Sequence, residues 1–359
     1  MPRDPITLYV GTYATGQSDG IYRLRLDLAT GILAEAGDPV PAVNPSWLVV
    51  HPSRRFLYAV NETGASREDA PGGVSAFAVD PASGGLAFLN RQPSGGAAPC
   101  YLSLDDQGRH LFVANYWGGT AAVFPLGADG RIGPASATVR HEGANPTPRD
   151  PGPHAHSVDL DPANRFAFVA DLGLDRVYGY RFDAARGRLT PNDPPFLALP
   201  PGAGPRHLAF HPDGRHAYLI DELASTLTTL DYDPGAGRFT AREALTTLPA
   251  GYAGKSSAAE VAVRADGQFV YASNRGHDSI AIFAVDGATG RLSPLGHEPT
   301  HGRMPRHFAI DPTGAFLLAA NQGSDTVVVF RIDAASGRLA PVGPPTPVPS
   351  PVCLRMVQD

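Results

Sequence analysis

The sequence predicts an all-β protein, a single seven-bladed β-propeller spanning residues 1–359, and three observations predict it. A strand-ending motif recurs seven times, four strand signals accompany each copy, and the two ends of the chain carry complementary halves of one copy. The recurring ends are Leu8–Thr12 (LYVGT), then LYAVN to Asn61, LFVAN to Asn115, AFVAD to Asp171, AYLID to Asp221, VYASN to Asn274 and LLAAN to Asn321. Their spacings of 49, 54, 56, 50, 53 and 47 residues give a period near that of propeller blades, and no 3.6-residue periodicity competes with it.

Each copy reads as hairpin after hairpin. A first strand precedes the aligned end (PSWLVV, PCYLSL, AHSVDL, PRHLAF, AAEVAV, PRHFAI), and a turn such as HPSRR, DDQGR or HPDGR leads into the second strand. A third strand follows, as in SIAIFAVD and TVVVFRID, and ATGRL or ASGRL turns it into a fourth. The blades are therefore expected to be four-stranded and antiparallel. The chain opens on a second strand and closes on a first strand, PVCLRMV. Pairing these terminal strands would close the ring and hide two sheet edges.

Composition agrees. The 40 glycines and 36 prolines, about a fifth of the chain, sit as punctuation between apolar runs, and 43% of residues are hydrophobic, enough for a sizeable core. A net charge of −6 argues against nucleic acid or an anionic membrane as a partner. With no basic-then-apolar leader in the sequence and no apolar run of membrane-spanning length, the expectation is a cytoplasmic protein. Cys100 and Cys353 are expected to be small buried thiols.

In a propeller the first strand of each blade lines the central channel, and its start lies beside the end of the second strand. Two layers at one mouth follow: Ser46, Cys100, His156, Arg206, Ala259, Arg306 and Val352, and around them Tyr13, Glu62, Tyr116, Leu172, Glu222, Arg275 and Gln322. Charge gathered here is costly unless it is used or paired. Arg206 and Glu222 share one rim, which marks the hairpin Pro205–Glu222 as the catalytic blade. Two segments with extra residues, Asn61–Val74 and Phe124–Pro153, are candidate pocket walls. His207 and His307 should point away from the channel and pack. His154 and His156, two apart, would face one way on a regular strand, but a metal would need a third ligand from elsewhere, and none is expected. The GxSxG string at Gly16–Gly20 leads into a strand pattern rather than the helix of a nucleophile elbow, and a P-loop and a dinucleotide fingerprint are absent from the sequence. The residues left describe an anion-binding pocket with a base.

The runs GPHAHSVDLDP, GPRHLAFHPDGRHAYLIDEL, YASNRGHDSIAIF and MPRHFAIDPTGAFLLAANQGSDTVVVFRID resemble the lactonase family of seven-bladed propellers, which holds propeller-type 6-phosphogluconolactonases and is similar to the 3-carboxymuconate lactonising enzymes. The resemblance covers essentially the whole chain. It implies a hydrolase opening a sugar lactone ring, most directly that of 6-phosphogluconolactone in the pentose phosphate pathway, with no cofactor. It also implies His156, Arg206, Glu222 and Arg275 as catalytic residues, with either Glu222 or His156 as general base. Expected substrate contacts are His154, Arg306, Glu62, Asn115 and Tyr116. The competing readings are a muconate-type cycloisomerase and a non-catalytic propeller that binds a partner at its rim.

Overall fold

The computed structural model describes residues 5–14, 18–144 and 152–358. Part of the second expected wall, residues 145–151, lies outside them. Among the described residues the strands form seven antiparallel sheets, the blade count of a seven-bladed β-propeller. Six are ordered as four consecutive strands. In the seventh, the terminal strand Pro351–Gln358 lies against Ile6–Thr12, which pairs in turn with Gly20–Leu26. The register Leu8↔Met356 and Val10↔Leu354 is the expected terminal closure. Its outer strand is broken into Leu33–Glu35 and Val40–Pro41, both paired to Gly20–Leu26.

The chain divides into two compact units, residues 1–42, 209–230 and 242–359 in one, and 43–208 with 231–241 in the other. In the first, Leu8, Val10, Leu24, Leu318, Val327 and Leu354 form one core with Phe316, all at most 2% exposed. Removing each such side chain from water contributes about 2 kcal/mol.

The recurring Asn or Asp at the end of each second strand has a physical reason. The amide nitrogens of Asn61, Asn115, Asn274 and Asn321 donate to the carbonyls of Val43, Ser94, Thr247 and Thr300, at 2.7–3.1 Å. A carboxylate only accepts, so the two Asp positions recruit donors instead. Asp171 pairs with Nδ1 of His141 at 2.6 Å, and Asp221 accepts from the hydroxyls of Thr226 and Thr228. The turns between first and second strands need one left-handed residue. Gly108, Gly214, Gly267 and Gly314 supply it, and Arg54 and Asn164 adopt the same positive φ. Prolines crowd the outer strands Arg188–Ala198 and Leu339–Pro347, where a missing N–H costs no ladder bond and blunts the edge.

First strands carry the feature that the repeat does not reveal. Asn115 and Ala114 face Pro99 and Tyr101, Asp171 and Ala170 face Ala155 and Ser157, and Asn321 and Ala320 face Pro305 and His307. Cys100, His156 and Arg306 are thus extra residues, bulged out of the ladder at the inner-layer position. Val352 is passed over in the same way between Pro351 and Cys353. A bulge interrupts strict alternation and re-aims side chains.

Candidate functional site

In the first unit, Glu222 follows the strand His216–Asp221 and Arg275 ends the strand Phe269–Arg275. Hairpin geometry carries both to the same side of neighbouring sheets. Arg275 Nη2 lies 2.8 Å from Glu222 Oε2, with side chains only 9% and 17% exposed. The same nitrogen donates to the Ala258 carbonyl at 3.0 Å, and the Glu222 carbonyl accepts from Ala258 N–H at 3.2 Å. The buried Arg275 Nε has no hydrogen-bond partner. Burial pulls the Arg275 pKa down against the pull of Glu222, and Arg306 adds to the lowering. The effect of Arg306 is that of a second positive charge facing the first.

Arg306 is half-buried. Its Nη2 donates to the Tyr13 hydroxyl at 3.0 Å, and its guanidinium stands 5.4 Å from the centre of that ring. Two guanidiniums, one carboxylate and a phenol therefore share this part of the unit with a net positive charge. Such a group attracts an anion and presents a forked donor to it.

In the second unit the expected residues cluster around aromatic rings. Arg206 is 2% exposed, and its Nη1 lies 3.2 Å from both ring nitrogens of His207. His207 stands edge-on to Trp47, Tyr101 and His156, each with centroids 5.0 Å apart. Sequence neighbours on a regular strand face opposite sides, so His207 was expected to turn away from Arg206. It packs as expected but stays in contact with Arg206 and His156. His307 also packs, 3.5 Å from Glu260 Oε2 through Nε2, and accepts the Leu354 N–H at Nδ1. Alignment by position chose Ala259 for the inner layer and passed over Glu260, a carboxylate 8% exposed. The pairing Ala258↔Asn274 and Val261↔Ala272 leaves an irregular step around these two residues that the repeat does not show.

His154 and His156 converge on the ring of Tyr116, not on a shared metal position. His154 stacks on it at 4.5 Å and His156 meets it edge-on at 5.7 Å. His154 precedes its strand, its N–H donates to Asp171 Oδ1 and its Nδ1 is 3.2 Å from the Tyr116 carbonyl. Among the described residues no third His, Cys, Asp or Glu completes a ligand set with these two. Glu62 accepts from the Ser46 hydroxyl. Asn115 is fully buried and its amide nitrogen bonds Ser94 and Thr120, which makes it a latch between strands. The two expected walls meet, for Arg67 Nη2 donates to the Pro153 carbonyl at 3.1 Å. Cys100 and Cys353 are buried free thiols; Cys100 Sγ donates to the His156 carbonyl.

The chain as a whole has relatives among known proteins. The family model described as lactonase, 7-bladed beta-propeller, matches residues 7–356. The chain is 37% identical to a 6-phosphogluconolactonase of Bacillus subtilis over 85% of each chain. It is 32% identical to a 6-phosphogluconolactonase of Formosa agariphila over 85% of this chain and 86% of the relative. Among solved structures, a periplasmic gluconolactonase of Pseudomonas aeruginosa superposes with a TM-score of 0.93 at 38% identity, over 99% of each chain.

Proposed function

The chain belongs to the lactonase family of seven-bladed β-propellers, and from that membership we propose that its substrate is 6-phosphogluconolactone, opened to 6-phosphogluconate. It is a lactonase, a hydrolase of a cyclic carboxylic ester. The observation that carries the phosphorylated substrate is the excess of guanidinium over carboxylate around Glu222, Arg275, Arg306 and Tyr13. The two relatives named 6-phosphogluconolactonase support the same reading.

The chemistry follows from the ester. Water attacks the ring carbonyl and gives a tetrahedral oxyanion. Its collapse breaks the bond to the ring oxygen, which leaves as a hydroxyl by taking back the proton that Glu222 removed from the water, and the carboxylic acid so formed ionises to the carboxylate. Glu222 takes the proton of the attacking water, since a guanidinium at 2.8 Å favours the ionised carboxylate a base requires. Arg275 fixes that carboxylate and Arg306 binds the phosphate. His156 and Arg206 are carried forward as working residues. Arg206 is a fixed positive group of the kind that stabilises an oxyanion, and its burial at 2% exposure supports this role because a buried charge acts through a low dielectric.

No helix among the described residues is long and apolar enough to cross a membrane. We propose the cytoplasm as the compartment; cell fractionation that recovers the native chain in the periplasm, where the Pseudomonas relative resides by its name, would overturn this.

Arg306→Ala tests the phosphate assignment. The KM for 6-phosphogluconolactone should rise about tenfold or more, the loss of one charge-assisted contact, while the KM for gluconolactone stays within about twofold. Equal effects on both substrates would remove Arg306 from phosphate binding.

A further inference from the structure

The turn of the hairpin that ends in Glu222 carries a second constellation, at the other end of the strand His216–Asp221. His211, Asp213 and His216 each place a potential ligand atom within 4.8 Å of the others. Among the described residues they are the group of three His, Cys, Asp or Glu side chains close enough to hold a metal ion. His211 Nδ1 is 3.1 Å from Asp213 Oδ1, and His216 Nδ1 is 2.6 Å from Asp213 Oδ2. We propose that this turn is a binding site for a divalent first-row cation of the zinc class, held by two imidazoles and one carboxylate with water completing the shell.

The argument rests on the donor set and its orientation. His211 Nε2 lies 3.0 Å from the Gly267 carbonyl. A carbonyl only accepts, so Nε2 carries the hydrogen and the lone pair of the neutral ring is at Nδ1, which lies beside the carboxylate and accepts the Asp213 N–H at 3.2 Å. The bond from Nε2 is the outer bond by which a protein fixes the tautomer of a metal-binding histidine. Nδ1 and Oδ1 stand 3.1 Å apart, and a cation bound there would replace the Asp213 N–H as the partner of the Nδ1 lone pair. A tetrahedral ion with bonds of about 2.0–2.1 Å holds its ligands about 3.4 Å apart, so small side-chain rotations suffice.

The carboxylate is fixed before any ion arrives, for Asp213 Oδ1 accepts the N–H of Arg215 at 2.8 Å and of His216 at 3.1 Å. The histidines are 8% and 7% exposed, whereas the Asp213 side chain is 17% exposed. The site is enclosed by protein yet open to water at one edge.

Sister turns in the same molecule supply a control. His51 repeats the first position with the same bond, Nε2 to the Gly108 carbonyl at 2.9 Å. Ser53 and Phe56 stand where this turn has Asp213 and His216, so that turn folds alike without a ligand set.

The test uses untagged full-length protein stripped with EDTA and titrated with zinc chloride by calorimetry. One zinc per chain is expected, with a Kd of about 1 μM or tighter, weakening at acidic pH as protons compete for the imidazoles. Asp213→Ser and His216→Phe, which install the residues of the Phe56 turn, should weaken binding about 100-fold or more. Lactonase activity should remain within about twofold, because these side chains lie away from Glu222 and Arg275. X-ray absorption of the loaded wild type should show two imidazoles, which keeps the test independent of how the variants fold. Failure to saturate at one zinc per chain, undiminished binding by the folded variants, or an absorption spectrum without two imidazole ligands would overturn the site.

Discussion

Glu222→Gln should lower kcat on 6-phosphogluconolactone by a factor of about 100 to 10,000, the usual contribution of a general base, with Tm within about 2 °C of wild type. The amide keeps the shape of the carboxylate and retains an oxygen that Arg275 Nη2 can reach across 2.8 Å. It loses the basicity needed to take a proton from water. Loss of activity without loss of stability separates a base from a member of a structural ion network. A kcat within about threefold of wild type would show that Glu222 does not activate the water, and would transfer that role to His156.

Arg275→Ala should damage both properties. The guanidinium is 9% exposed and bonds both Glu222 and the Ala258 carbonyl. Its removal leaves a carboxylate that is 17% exposed without its positive partner, at a cost of about 3 kcal/mol, or about 4 °C in Tm for a chain of this length. The carboxylate also loses the group that fixes its direction, so kcat should fall about 100-fold. Arg275→Lys restores the charge but not the fork, and should recover most of the stability while recovering little of the rate. Thermal melts and steady-state kinetics on the two variants check this. If kcat is retained in Arg275→Ala while KM alone rises, Arg275 binds substrate and does not position the base.

The repeat made the blades, their strand order and the pairing of the terminal strands legible, because a period-two pattern with regular turns states which residues lie side by side. It also sets Glu222 beside Arg275, since both occupy the same place in adjacent copies. The contact of Arg306 with Tyr13 crosses 293 residues, and position in the two layers does not by itself pair them. What failed was the assumption of strict alternation. Bulges at Cys100, His156 and Arg306, and the irregular step at Ala259 and Glu260, come from backbone pairing that side-chain patterns do not encode. His156 therefore meets His207, and Glu260 lies at a position that the repeat does not mark. The His211–His216 turn was hidden for another reason. Its residues read as turn punctuation, and the carboxylate between two imidazoles emerges only when the turn closes.

The most direct measurement is the rate of wild-type protein on freshly generated 6-phosphogluconolactone, coupled to oxidation of the product and corrected for spontaneous hydrolysis, alongside gluconolactone at equal concentration. The kcat/KM for the phosphorylated lactone should exceed that for gluconolactone by about tenfold or more, the worth of one charge-assisted phosphate contact. An equal or greater kcat/KM for gluconolactone would contradict the phosphate assignment, and no acceleration of either above the spontaneous rate would contradict lactone hydrolysis at this site.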